Sequence, residues 1–157
     1  VSTTAYTMNN NTYYSTGTAP FQLILTPNPG VEYSFAQWKT NTGLDLNSSY
    51  FSTLPSGVQV FVRPNQYEPG RAHVIVYNWA GIGTVAVDLS GILHSQQRFE
   101  VRNAQDFFGA PVVSGTYSGG LVTLPLTGLT AVTPIGDPSR PSSATPQFNA
   151  CVVVPLP

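Results

Sequence analysis

Charge is what this sequence has least of. Only 8% of its 157 residues are Asp, Glu, Lys or Arg, against about 25% in an average soluble domain. Six basic and seven acidic residues leave a formal net charge of -1, and Lys39 is the single lysine. A protein that neutralises backbone phosphates needs a dense basic face, so nucleic acid is excluded as a partner. Cysteine is almost as scarce: Cys151 stands alone, which rules out an intrachain disulfide and a thiolate metal cluster. Because Val152, Val153 and Val154 follow it, Cys151 is expected to be a small buried hydrophobe in the last strand. His73 and His94, the two histidines, fall in different segments without the spacing of a zinc or copper pair. Asp45 and Asn47 could offer oxygens to calcium, but the segment lacks the carboxylate density of a tight site, and a turn held by Asx hydrogen bonds is the expectation there. Neither a metal nor a cofactor is therefore expected. No apolar run reaches the roughly 18 residues of a membrane-spanning helix, and Val1 opens no positively charged leader, so the chain reads as a mature protein or an excised segment.

What fills the surface instead is Ser, Thr, Asn, Gly and Pro. A neutral, hydroxyl-rich surface of this kind accords with a protein outside the cell, secreted or on its surface. The most ordered pattern is Val60 to Trp79, where an alternating strand, the turn Pro64 to Gly70 and a second alternating strand follow without interruption. That is hairpin logic. Arg98 to Gly109 repeats it, with a strand running into a polar, aromatic turn.

These signals predict an all-β chain: an antiparallel β-sandwich over residues 56–157, preceded by an irregular β segment over residues 1–55 with one short helix. Strands are expected at Phe21 to Leu25, Val58 to Arg63, Ala72 to Asn78, Thr84 to Leu89, Gln97 to Arg102, Val112 to Tyr117, Leu121 to Leu126, Leu129 to Thr133 and Phe148 to Val154. The strand through Val74 and Val76 is apolar on both sides of its alternation and is expected to be central and buried on both faces. The helix is expected around Ser34 to Lys39, with Ser34 as N-cap and Gly43 closing it. A long proline-rich loop is expected from Gly136 to Pro146.

Certain stretches resemble a known family. The runs Asn10 to Tyr14, Tyr33 to Trp38 and Thr42 to Ser48 resemble the closing part of secreted right-handed parallel β-helix proteins of the pectate-lyase-like type. The later run, Val60 to Trp79 and on to Val101 through Gly109, resembles the β-sandwich appended to such proteins and to many glycoside hydrolases. The resemblance implies that residues 1–55 are candidate terminal rungs of a β-helix and that the chain is an extracellular accessory region of a carbohydrate-active or surface protein. It carries no active site over, because the acidic, calcium-binding rungs of that family would lie before Val1.

The seven acids include no two in a context that marks them as a hydrolytic pair, so no catalytic residue is assigned and the chain is read as a non-enzyme. The aromatic residues are the better lead. Sugars present flat C–H faces edged by hydroxyls, so rings beside short polar groups make a binding surface. Trp79 at a strand end, Tyr67 in the Pro64 to Gly70 turn, and Phe107 and Phe108 in the Asn103 to Gly109 turn are the candidate platform, although rings of this size also serve as core. Arg71, Asn103, Gln105 and Asp106, with Arg63 and Glu68, are the polar groups it would recruit. The expected function is a non-catalytic carbohydrate-binding or accessory module, with polysaccharide as partner. The alternative is a structural subunit of an extracellular filament or surface assembly, in which an upstream β-helix domain or another copy adds a strand to an open edge. Asn10-Asn11-Thr12 and Asn47-Ser48-Ser49 also match the N-glycosylation pattern.

Overall fold

The computed structural model describes residues 5–24, 29–136 and 146–157. The chain is all-β, 39% strand and 9% helix, with no sheet closed into a barrel. It divides into two compact units, Val1–Pro55 and Ser56–Pro157.

The first unit is built around a buried carboxylate. Strand β1 (Thr12–Tyr14) will pair with a strand far along the chain, and β2 (Phe21–Leu23) forms an antiparallel pair with β3 (Val31–Tyr33). Helix α1 (Phe35–Thr42) follows, opened by Ser34 in a reciprocal capping box: the Ser34 hydroxyl accepts from the Gln37 N–H, and the Gln37 side chain accepts from the Ser34 N–H. Gly43 closes it in the left-handed conformation, donating its N–H to the Lys39 carbonyl. Strand β4 (Ser49–Phe51) then lies parallel to β1, with Tyr13 opposite Tyr50 and Tyr14 opposite Phe51. Strands β1, β3 and β4 were not expected from the sequence; three residues each is too short to show a period of two.

Between α1 and β4, Asp45 is fully buried and faces no cation. Its Oδ1 accepts from the Ser48 hydroxyl (2.7 Å), the Asn11 amide (2.9 Å) and the Tyr13 hydroxyl (3.0 Å), and its Oδ2 accepts from the Trp38 indole N–H (3.0 Å). Burial alone would raise its pKa, but these hydrogen bonds outweigh it and hold the carboxyl below its ordinary value. The expected local turn is only part of its role, for the partners come from β1, α1 and the approach to β4. Phe21, Phe35, Trp38 and Tyr50 stack about this network, with Phe21 and Trp38 at 5.6 Å and Phe35 and Tyr50 at 5.5 Å.

The second unit is a two-layer sandwich. Its larger sheet contains β5 (Val58–Pro64), β6 (Ala72–Asn78), β8 (Arg98–Asn103), β9 (Val113–Thr116) and β11 (Phe148–Pro155), in the order β5-β6-β11-β8-β9, antiparallel throughout. The smaller layer is the antiparallel pair of β7 (Thr84–Asp88) and β10 (Leu121–Pro125). Register makes the core. Ala72, Val153, Val101 and Val113 form one inward row across four strands, Val62, Val74, Cys151 and Asn103 the next, and Val87, Leu89, Leu124 and Leu126 pack with them from the other side.

Three sequence expectations change. Strand β6 is buried on one face only: Ala72, Val74, Val76 and Asn78 point inward, while His73 and Tyr77 are exposed and Ile75 is half-buried. The central strand is β11, not β6, because the last strand inserts between the two earlier hairpins. Leu129 to Thr133 is not a strand, because its backbone is spent on the Asn103–Gln105 segment: the Thr130 carbonyl accepts from the Asn103 amide and the Val132 N–H donates to the Gln105 carbonyl. Residues 137–145 of the expected proline-rich loop, and Leu25 at the end of an expected strand, lie outside the described residues.

Cys151 is buried as expected, and burial pushes its thiol up to about 11. The native thiol is therefore neutral at pH 8 and should not react with a disulfide reagent until the protein unfolds. A raised folded-state pKa stabilises below the unfolded value, so this contribution fades as pH rises from about 8.5 towards 11; thiol titration with and without denaturant checks both points. For Asp45 the sign is opposite. Its lowered pKa contributes stability above the ordinary carboxylate range that is lost as pH falls through it. In a Trp79→Phe background, Trp38 fluorescence should report acid-induced loosening of the first unit below about pH 4. Asp45→Asn, which leaves donors facing a donor, should already be destabilised at pH 7 by about 3 kcal/mol or more and lose that acid step.

Candidate functional site

The turn from β5 to β6 is held by its own polar groups. The Asn65 side-chain oxygen accepts from the N–H groups of Tyr67 (2.8 Å) and Glu68 (3.0 Å), and the Asn65 N–H donates to the Arg71 carbonyl. Gly70 sits at φ +81, and a side chain there would meet Pro155 at 3.0 Å, so both conformation and space require glycine. The turn leaves Tyr67 88% exposed and sets Arg71 on Glu68 at 2.9 Å.

A second turn follows β8 and is tied down by Arg102. The Arg102 Nε donates to Glu100 (2.8 Å), and one terminal nitrogen donates to the carbonyls of Phe107 (2.9 Å) and Gly109 (3.0 Å). Glu100 and Arg102 lie two apart on the outward face of β8, the spacing that lets them pair. Asn103 caps the short 3-10 turn Ala104–Asp106, accepting from the Gln105 N–H. So clamped, the turn holds Phe107 and Phe108 perpendicular at 5.3 Å and leaves Phe108 94% exposed. The guanidinium groups of Arg71 and Arg102 lie 5.7 and 5.8 Å from the Phe107 ring centre, within cation–π range. The two turns thus meet at Phe107. Each arginine has a carboxylate partner, so the cations are balanced locally, and Asp106, next to Phe107 in the chain, adds one further carboxylate.

Of the eight residues expected from sequence, Arg71, Phe107 and Phe108 come together here, and Tyr67 belongs to the same turn as Arg71. Asn103 is buried and spends its side chain on Gln105 and Thr130. Gln105 is exposed. Asp106 is half-buried and lines, with Asn103, Pro111 and Thr130, a cavity of about 220 Å³. Trp79 is not part of this group. It follows the opposite end of β6 from Arg71, roughly 26 Å away at the rise of an extended strand. Its half-buried ring stacks on Tyr77 at 5.3 Å, and Tyr77 touches Phe148 (5.2 Å) and Phe61 (6.2 Å), a second aromatic patch on the outward face of the large sheet. Tyr77, Phe148 and Phe61 were not singled out as site residues. The shared parity of Tyr77 and Trp79 was the available signal, whereas the pairing of Phe148 with Tyr77 required the register of β11. Arg102 was also missed, because its carbonyl acceptors lie five and seven residues on and declare themselves only when the turn is formed.

Among the described residues no group of three or more His, Cys, Asp or Glu side chains is placed to hold a metal ion, and no helix is long and apolar enough to cross a membrane. No protein-family model, curated protein or solved structure matches the chain.

If Arg102 organises the second turn, Arg102→Met should release both carbonyls and leave Glu100 unpaired, lowering stability by about 2–4 kcal/mol. Urea unfolding measures this loss, and amide exchange at Gly109, whose N–H donates to Asp106, should quicken beyond what the lower global stability explains.

Proposed function

We propose that this protein is a non-catalytic, extracellular carbohydrate-binding or accessory module that holds polysaccharide by stacking and by neutral hydrogen bonds. One observation carries the reading: Tyr67 and Phe108 stand almost wholly in solvent at a place where Arg71 and Arg102 flank Phe107 and are each neutralised by a glutamate. Fully burying one such ring is worth about 1.5–3 kcal/mol, so two exposed rings on turns this tightly tied are poised for a partner that covers them. An uncharged partner with a C–H face and a hydroxyl edge fits both the rings and the remaining donors of Arg71. The hydroxyl-rich surface and near-zero net charge agree with a neutral glycan.

A second reading, a structural subunit assembled by strand addition, draws on β1 and β4. They form a two-stranded parallel sheet with exposed Tyr14 and Phe51 in register and stacked at 5.1 Å. Parallel strands usually occur inside larger, covered sheets, and among the described residues no third strand pairs with either.

Affinity electrophoresis through gels containing neutral plant or microbial polysaccharides separates the two. Retardation by at least one glycan, weakened about tenfold or more by Tyr67→Ala or Phe108→Ala without loss of folding, is the expected result. Unretarded migration in every gel, together with early elution on size exclusion, would replace the binding reading with assembly.

A further inference from the structure

Strands β5, β6 and β11 contain no Asp or Glu, and Arg63 is their single Lys or Arg. The outward face that these strands share therefore carries one fixed cation and no anion. The Arg63 guanidinium lies 5.7 Å from the Phe61 ring centre, and among the described residues it makes no ion pair and no hydrogen bond. The register sets His73 directly across from Arg63 and Ile75 across from Phe61. His73 adds no negative charge in either protonation state. Beside the guanidinium, Phe61, Ile75 and Tyr77 line a shallow recess of about 290 Å³, near the lower end of small-molecule sites. We infer that this recess is a binding site for an aryl carboxylate, a flat aromatic ring carrying one carboxyl group, in addition to the polysaccharide surface at Tyr67 and Phe108.

Both ends of the ligand follow from the lining. Arg63 presents a planar fork of donors that a carboxylate accepts in pairs, and the strands around it supply no acid to take that place. Phe61 and Tyr77 stand at 89° with ring centres 6.2 Å apart, so they offer ring face and ring edge at right angles, the two surfaces that a further aromatic ring meets by edge-to-face and offset contact. Ile75, half-buried between them, is the floor. A sugar seated there would strip water from hydroxyls that the isoleucine cannot bond, whereas an aromatic ring gives up no hydrogen bond. A second copy meeting this face with its own would oppose Arg63 with strands that hold no carboxylate, so self-association through the face finds no counter-charge. The walls are also held in place: Phe61 and Tyr77 project from paired strands, and Tyr77 packs against Trp79 (5.3 Å) and Phe148 (5.2 Å). Little ordering is then needed when the recess is filled.

The two tryptophans make the test direct, since Trp79 reports this recess through its stack on Tyr77 and Trp38 belongs to the other unit. Benzoate, benzyl alcohol, acetate and methyl glucuronide are titrated into the full ¹⁵N-labelled chain, with the indole signals assigned through Trp79→Phe. Benzoate should shift the Trp79 indole N–H and the Tyr77 amide saturably in the millimolar range while the Trp38 indole stays still. Benzyl alcohol, which keeps the ring and lacks the charge, should bind about three- to fivefold more weakly. Arg63→Gln, at an exposed position, should bring benzoate down to the level of benzyl alcohol and leave benzyl alcohol unchanged. The absence of a saturable shift with benzoate, or a benzoate response untouched by Arg63→Gln, would overturn the site. Acetate as effective as benzoate would leave the rings without a role, and methyl glucuronide bound more tightly than benzoate would put an acidic sugar in place of the aromatic ring; either result overturns the ligand class. The electrophoretic test of Tyr67 and Phe108 stands or falls separately, because none of the residues lining the recess belongs to that surface.

Discussion

The second unit depends on the insertion of β11. Strands β5–β6 and β8–β9 are each hairpin-like ribbons that a local turn can start, but a two-stranded ribbon is at best marginally stable alone. Only when Phe148–Pro155 enters between β6 and β8 do the inward rows become continuous. The same insertion fixes the separation of the two ribbons, and so lets Arg71, which precedes β6, share the ring of Phe107, which follows β8. The aromatic and arginine surface is thus a product of long-range register. Pairings of this sequence separation close slowly, because loop entropy must be lost before they are rewarded. Asn149 on β11 is buried, and among the described residues its side-chain nitrogen has no hydrogen-bond partner.

How much of this could be read in the sequence follows the range of the interactions. The strands with a clear period of two, at Val58, Ala72, Thr84, Leu121 and Phe148, appear within a residue or two of where alternation puts them, and the helix caps at Ser34 and Gly43 are where their chemistry requires. Both are local effects. What could not be read was order across the sheet. The apolar residues Ile75, Tyr77 and Trp79 made β6 look buried on both faces, and the outward patch they form with Phe61 and Phe148 is invisible until β11 is placed. The segment Leu129 to Thr133 has strand composition, yet its backbone partners are a side chain and a 3-10 turn, which no periodicity announces. Asp45 shows the same limit. Its neighbours mark a turn, but three of its four side-chain donors lie 7, 32 and 34 residues away in sequence.

Three groups of rings have different physical roles. In the first unit Phe21, Phe35, Trp38 and Tyr50 stand in for an aliphatic core, stacked around a polar centre. On the large sheet Phe61, Tyr77, Trp79 and Phe148 pack edge and face with one another and are only partly open to water. Tyr67 and Phe108 are held out on turns tied by side-chain hydrogen bonds to backbone groups. Rigid presentation lowers the entropy lost when a partner is bound.

The buried carboxylate of Asp45 separates two kinds of electrostatic sensitivity within one chain. Its interactions are short hydrogen bonds in a region that dissolved ions do not enter, so added salt has little hold on them, while a proton cancels them outright. The Arg71–Glu68 pair differs: it lies partly in solvent, where screening over about 8–10 Å weakens it. Added salt therefore weakens the exposed pair at one end of the second unit while leaving the hydrogen-bonded centre of the first nearly as it was.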